Sequence, residues 1–129
     1  MTDSRFDQGM KVRREVLGDE HVDRSMNNAT SFDADFQHWI TDIAWGGVWS
    51  RPGLDRGTRS LITVAILAAM GRDAELTLHL RASQNNGVTL EQIREMLFHV
   101  AVYAGVPAAN HAFAVAKSAL AVSGGESKR

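Results

Sequence analysis

The chain has 129 residues, 44% of them hydrophobic, and 15 acidic against 14 basic side chains for a formal net charge of −1. That is one domain with a modest core, and a balanced charge argues against a nucleic-acid partner, which needs clustered cations. With no cysteine, disulfides, thiolate nucleophiles and thiolate metal ligands are excluded; the start MTDSRFDQG lacks the apolar core of a signal peptide, and the most apolar run, 61–70, is about half a bilayer span, so a cytoplasmic protein with no membrane partner is expected.

Residues 4–17 carry Phe6, Met10, Val16 and Leu17 among many charges and predict a weak amphipathic helix, stopped by Gly18, that docks peripherally on the domain or on another subunit. Residues 21–30 are polar and predict no more than one helical turn. Ser31 suits the cap of a helix over 32–45, where Phe32, Phe36, Trp39, Ile40 and Ile43 form one apolar stripe and Gly46-Gly47 is the stop. The three tryptophans, Trp39, Trp45 and Trp49, cluster here; they fill core or a subunit interface, or they wall a pocket. Ser50-Arg51-Pro52-Gly53 is turn chemistry and Asp55 caps the next helix. That helix is apolar almost all round from 59 to 70, which predicts a central position surrounded by others, and Gly71 closes it.

Residues 73–113 carry the unusual chemistry. Asp73 suits a cap, Gly87 a C-terminal stop, and Thr89-x-x-Gln92 a capping box, with Val88 and Ile93 as its hydrophobic staple. Two helices joined so closely predict an antiparallel hairpin. The second ends at Gly105, and Pro107 suits the first turn of a third. No stretch alternates with period two. The reading is all-α, about six helices, one domain over 1–122 and a disordered tail over 123–129.

The pattern Glu-x-x-x-His occurs twice in this stretch, as Glu75/His79 and Glu95/His99, and four-residue spacing stacks each carboxylate over its imidazole. Facing each other, the pairs suit acid–base work, with each glutamate orienting a histidine. The main rival is a four-ligand zinc, iron or manganese centre, although the spacing departs from the Glu-x-x-His of di-iron bundles and the two pairs alone do not require a metal. In a non-enzymatic helical oligomer the same residues would be interface salt bridges. Tyr103 lies one turn beyond His99, as a hydroxyl donor or as an amphipathic core residue. Arg51, Arg59, Arg72 and Arg81 border the stretch; Arg59 has mostly apolar neighbours, so it needs an anionic partner, whether a ligand or an internal glutamate. His21, His38 and His111 have no acid four residues away and receive no role.

Asp55-Arg56-Gly57-Thr58-Arg59-Ser60-Leu61, Glu75-Leu76-x-x-His79, Asn86-Gly87-Val88-Thr89 and the block from Val102 through Tyr103-Ala104-Gly105-Val106-Pro107-Ala108-Ala109-Asn110 to Phe113 closely resemble the 4-carboxymuconolactone decarboxylases, cofactor-free bacterial enzymes of protocatechuate breakdown in the β-ketoadipate pathway. The resemblance covers nearly the whole chain. It implies an alkylhydroperoxidase-like all-α subunit, usually in a ring-like homohexamer, that converts 4-carboxymuconolactone to 3-oxoadipate enol-lactone. The wider family has a Cys-x-x-Cys-x-x-x-His helix, and the equivalent positions here are Arg72, Glu75 and His79, so thiol peroxidase chemistry has no nucleophile.

In the implied substrate one carbon of a butenolide carries both a carboxylate and an acetate arm. Loss of carbon dioxide sends an electron pair through the ring double bond into the lactone carbonyl, and the dienolate is reprotonated at the α-carbon, so no organic cofactor or metal is obligatory. The protein must anchor a dianion, stabilise the growing oxyanion and deliver one proton. The expected anchors are Arg59, Arg72 and Arg51, with Trp45 as pocket wall. His79 is the leading proton donor, ahead of Glu95, His99 and Glu75, with Tyr103 as a donor to the lactone oxygen.

Overall fold

A computed structural model describes residues 4–120; the expected disordered tail, 123–129, lies outside the described residues. The all-α expectation holds: α1 (Arg5–Leu17), α2 (Asp19–Asn28), α3 (Ala34–Trp39), a π-helix (Ile40–Val48), α4 (Arg56–Met70), α5 (Asp73–Ser83), a 3-10 turn (Gln84–Asn86), α6 (Leu90–Tyr103) and α7 (Val106–Ala119), with no strand among the described residues. No helix there is long and apolar enough to cross a membrane. The chain forms two compact units that divide after Arg56.

In the first unit α1 lies hard against the π-helix. A Cβ on Gly9 would fall on the Thr41 carbonyl and 2.7 Å from Gly46 N, and a Cβ on Gly46 would reach 2.8 Å from Arg5 Cγ. Only hydrogen fits at both positions, so Gly46 is a crossing point and not the expected helix stop: the helix widens through Gly46-Gly47 and runs to Val48. This contact makes α1 integral to its unit, with Gly9, Val12, Arg13 and Val16 buried. Arg13 is only 5% exposed and donates to Thr41 Oγ1 at 2.9 Å and Gln37 Oε1 at 3.0 Å. Burial, and then the charge of Arg14, pull its guanidinium below the ordinary arginine range.

Two expectations fail here for physical reasons. Residues 19–28 form a full helix and not one turn. It buries only Val22 and is held by charge: Asp19 and Glu20 sit at its N-terminus, Arg14 reaches Asp19 and Asp23 at 3.1 and 2.8 Å, and Arg24 pairs with Glu20. Ser31 is not a cap. The Asp33 carboxylate accepts from Thr30 N at 2.7 Å, folding 30–33 into a turn, so α3 starts at Ala34, and the expected stripe of Phe32, Phe36 and Trp39 is exposed.

In the second unit Val64 and Ala68 of α4, Leu76 and Leu80 of α5, and Ile93, Leu97 and Val100 of α6 share one core with Ala109, Ala112, Ala116 and Ala119 of α7. The alanine stripe makes α7 thin on that face, so it becomes the main partner of both α5 and α6. The expected direct α5–α6 hairpin is replaced by helices sharing α7. Asp73 pairs with His111 and Arg81 Nε donates to the Ala119 carbonyl at 3.1 Å, a constant offset of 38 residues that makes α5 and α7 parallel. The link to α6 follows the sequence closely: Gly87 is left-handed, the Thr89–Gln92 capping box closes at 2.9 and 3.1 Å, and Val88 and Ile93 are buried. Arg72, not Asp73, holds the N-cap position of α5, since the Asp73 carboxylate is turned to His111. Nor is α4 surrounded: Ser60, Val64 and Ala68 are buried, while Ile62, Ile66 and Met70 are exposed.

Candidate functional site

The second unit holds most of the residues expected to do chemistry, but does not gather them. His79 is half-buried on α5 between Leu76 and Leu80, both 1% exposed, so core packing fixes the helix that carries it. Glu75, Glu95, His99, Tyr103 and Arg72 are exposed, and Arg59 is half-buried in the first turns of α4. The His99 and Tyr103 rings meet at 4.9 Å, tilted by 40°. Glu75 and Glu95 make no hydrogen bond or ion pair among the described residues, so neither glutamate orients a histidine within one chain. Nor do three His, Asp or Glu side chains come together anywhere in the described residues to hold a metal ion, and the four-ligand reading of Glu75, His79, Glu95 and His99 is not built.

One carboxylate–imidazole pair that is built was missed. Asp73 places Oδ2 at 2.8 Å and Oδ1 at 3.0 Å from His111 Nε2, both side chains exposed. A search for acids one turn away cannot find a partner 38 residues distant.

The remaining two candidates lie in the first unit, beside a polar cleft of about 420 Å³. Gln8 and Val12 of α1 form one wall, and Trp49, Ser50, Arg51 and Arg56, from the segment after the π-helix, form the other. Arg51 therefore faces a cleft. Trp45 is 5% exposed and stacks on Trp49 with centroids 5.0 Å apart, so it backs the wall while Trp49 forms it. Trp49 N donates to the Ala44 carbonyl at 2.9 Å, Arg51 N to the Val48 carbonyl at 3.1 Å and Ser50 Oγ to the Trp45 carbonyl at 2.8 Å, which fixes the wall's backbone. Arg56 reaches back to Glu15 on α1 at 3.0 Å.

A cavity of about 230 Å³ in the second unit, between α6 and α7, has mainly apolar walls, including Leu90, Ile93, Leu97 and Phe113. Arg94 and Lys117 also border it, but the rest of its lining is hydrocarbon, which suits a dianion poorly, because desolvated charge needs paired donors. The polar cleft, lined by Arg51 and Arg56, is the better match to an anionic ligand.

The sequence profile of the carboxymuconolactone decarboxylase family matches residues 34–118. The chain is 53% identical over 115 residues to a 4-carboxymuconolactone decarboxylase of Acinetobacter baylyi, covering 89% of this chain and 86% of that protein. It is 47% identical over 126 residues to a nitrosuccinic acid decarboxylase of Metarhizium robertsii, covering 96% and 88%. A 4-carboxymuconolactone decarboxylase sequence of Pseudomonas putida is 52% identical over 42 residues, 33% of this chain and 88% of its own. The chain belongs to the carboxymuconolactone decarboxylase family.

Proposed function

We propose that this protein is a carboxy-lyase that decarboxylates 4-carboxymuconolactone to 3-oxoadipate enol-lactone. The observation that carries this is the 53% identity to an enzyme of that name over most of both chains. The chemistry suits the side chains at hand: the conjugated lactone accepts the electron pair, so the protein supplies anchors, a polar environment for the oxyanion and one proton. Arg51, Arg59 and Arg72 serve as carboxylate anchors, with Trp45 supporting the cleft wall through Trp49. His79 delivers the proton to the α-carbon, and Tyr103 donates to the lactone oxygen. Glu75, Glu95 and His99 set the proton inventory around it.

Six of these groups, Arg51, Arg72, Glu75, Glu95, His99 and Tyr103, are exposed in one chain, which does not suit catalysis, since preorganised electrostatics needs water excluded. Beside them Phe98 is 57%, Val102 73%, Tyr103 79% and Val106 68% exposed. Apolar area of this extent around polar residues calls for a cover. A homo-oligomer, the ring-like hexamer of the resemblance, supplies it by placing a second copy over this face. We take 1–122 as the working domain and the cytoplasm as its place, with a small soluble dicarboxylate as partner and no nucleic acid or membrane.

The relative named for nitrosuccinic acid favours a second substrate. In nitrosuccinate, too, the reacting carbon carries a carboxylate and a carboxymethyl arm. Its nitro group accepts the pair as a nitronate, and a proton returns to that same carbon. One anchor set then serves two electron sinks.

Purified protein mixed with 4-carboxymuconolactone should consume it with release of one carbon dioxide per molecule. No turnover by correctly assembled protein would overturn the reading, and turnover of nitrosuccinate alone would replace the first substrate by the second.

A further inference from the structure

We propose that the polar cleft of the first unit is a binding site for 1,4-dicarboxylates, with Arg51 and Arg56 as its two anion partners. This deepens the decarboxylase reading and rests on it for the reaction. Arg56 was no candidate from sequence, because one cation among fourteen carries no signal.

Three observations converge. Gln8, Ser50, Arg51 and Arg56 line one space of about 420 Å³, which admits a small dicarboxylate or a butenolide bearing the same two arms. The wall that carries Arg51 is fixed by the hydrogen bonds to the Ala44, Trp45 and Val48 carbonyls, so less order is lost when a ligand enters. Arg56 Nη1 is held by Glu15 at 3.0 Å, which uses one of five N–H donors and leaves the rest of the fork for a carboxylate. The bland alternative is that Arg56 is a surface residue tying its own segment to α1, and an exposed ion pair of that kind contributes little. Glu15 also bears on a ligand directly, because its charge competes for Arg56.

The test is binding of succinate to the full-length protein, followed by calorimetry and by the Trp49 indole resonance, with acetate and glutarate as controls. Succinate should bind, shift the Trp49 signal and compete with the lactone, and acetate should bind about tenfold or more weakly for want of a second anchor. Arg51→Gln and Arg56→Gln should each weaken succinate about tenfold and raise KM for the lactone more than they lower kcat. Arg56→Lys keeps the charge and the pairing with Glu15 but loses the fork, so KM should rise with the melting temperature unchanged; Glu15→Gln should tighten succinate binding.

Unchanged succinate affinity in both arginine variants, or a shift that leaves Trp49 untouched, overturns the proposal whatever the enzyme turns over. Succinate binding that depends on both arginines, in a protein that decarboxylates neither substrate, upholds the cleft and defeats the decarboxylase reading instead.

Discussion

Gly9 of α1 and Gly46 of the π-helix meet backbone to backbone, so closely that a Cβ on Gly9 would stand 2.7 Å from Gly46 N. The nearest neighbours of that Cβ are backbone atoms, which cannot rotate away. Gly9→Ala should therefore lower stability by about 2 kcal/mol or more, the cost of forcing atoms into a filled space. Gly47, whose nearest neighbour for a Cβ is 3.9 Å away, should accept alanine with little change. Denaturant midpoints of the two variants decide, and equal midpoints would remove the crossing as the reason for the glycine.

That crossing also shows where sequence reading stopped. Turns written in adjacent residues were legible: Gly18, Gly71, Gly87 and the Thr89–Gln92 box all stand where local chemistry puts them. Gly46-Gly47 reads locally as a stop, yet its environment is set by Arg5 and Gly9, 37 or more residues away. The helix over 19–28 was missed because ion pairs, not an apolar stripe, hold it. Among the candidate residues, spacing placed His79 correctly between buried leucines. It could not show that Glu75 and Glu95 would face outward, that Asp73 would choose His111, or that Trp49 and not Trp45 would line the cleft.

The first unit should show two separate pH responses. The hydrogen-bonded guanidinium of Arg5 holds the Asp42 carboxyl below its ordinary range. A depressed acid stabilises above its unfolded pKa, near 4, and that contribution is lost as pH falls through the folded value. Burial, then Arg24 and Arg13, lower His21 instead. The unfolded chain binds that proton more readily, so stability should rise with pH up to about 6.5. Unfolding free energy measured from pH 3 to 8 should lose its acid-side slope in part in Asp42→Asn, and the slope below 6.5 in His21→Gln. A pH profile that neither change alters contradicts both assignments.

Assembly should be visible directly. The chain has a mass of 14.1 kDa, and its exposed Phe98, Val102 and Val106 predict a larger species in light scattering at micromolar concentration. Val102→Asp should shift the population toward smaller species and lower turnover with it, because the same face carries His99 and Tyr103. A stable wild-type monomer with full activity would show that no second copy is needed.

Turnover should survive chelation and exhaustive dialysis. The reason is in the substrate, whose conjugated lactone already accepts the electron pair. Activity abolished by metal removal and restored by one equivalent of zinc, iron or manganese would revive ligation by Glu75, His79, Glu95 and His99, in an arrangement assembled between copies.

His79 bears the sharpest expectation. It sits half-buried between Leu76 and Leu80, on a helix anchored to α7 at both ends by Asp73–His111 and Arg81–Ala119, so these neighbours hold the backbone that carries it. His79→Ala should leave the oligomer folded and lower kcat by about 10²-fold, the range for losing a positioned acid or base. A histidine that served only packing would behave differently: truncation would cost about 1–3 kcal/mol of stability and leave the chemistry of the folded fraction intact. Melting temperature and kcat thus separate the two roles in one variant. Wild-type kcat in assembled His79→Ala protein would take His79 out of the reaction and turn attention to Glu95, His99 and Tyr103; a lost kcat at an unchanged melting temperature would place the proton on His79.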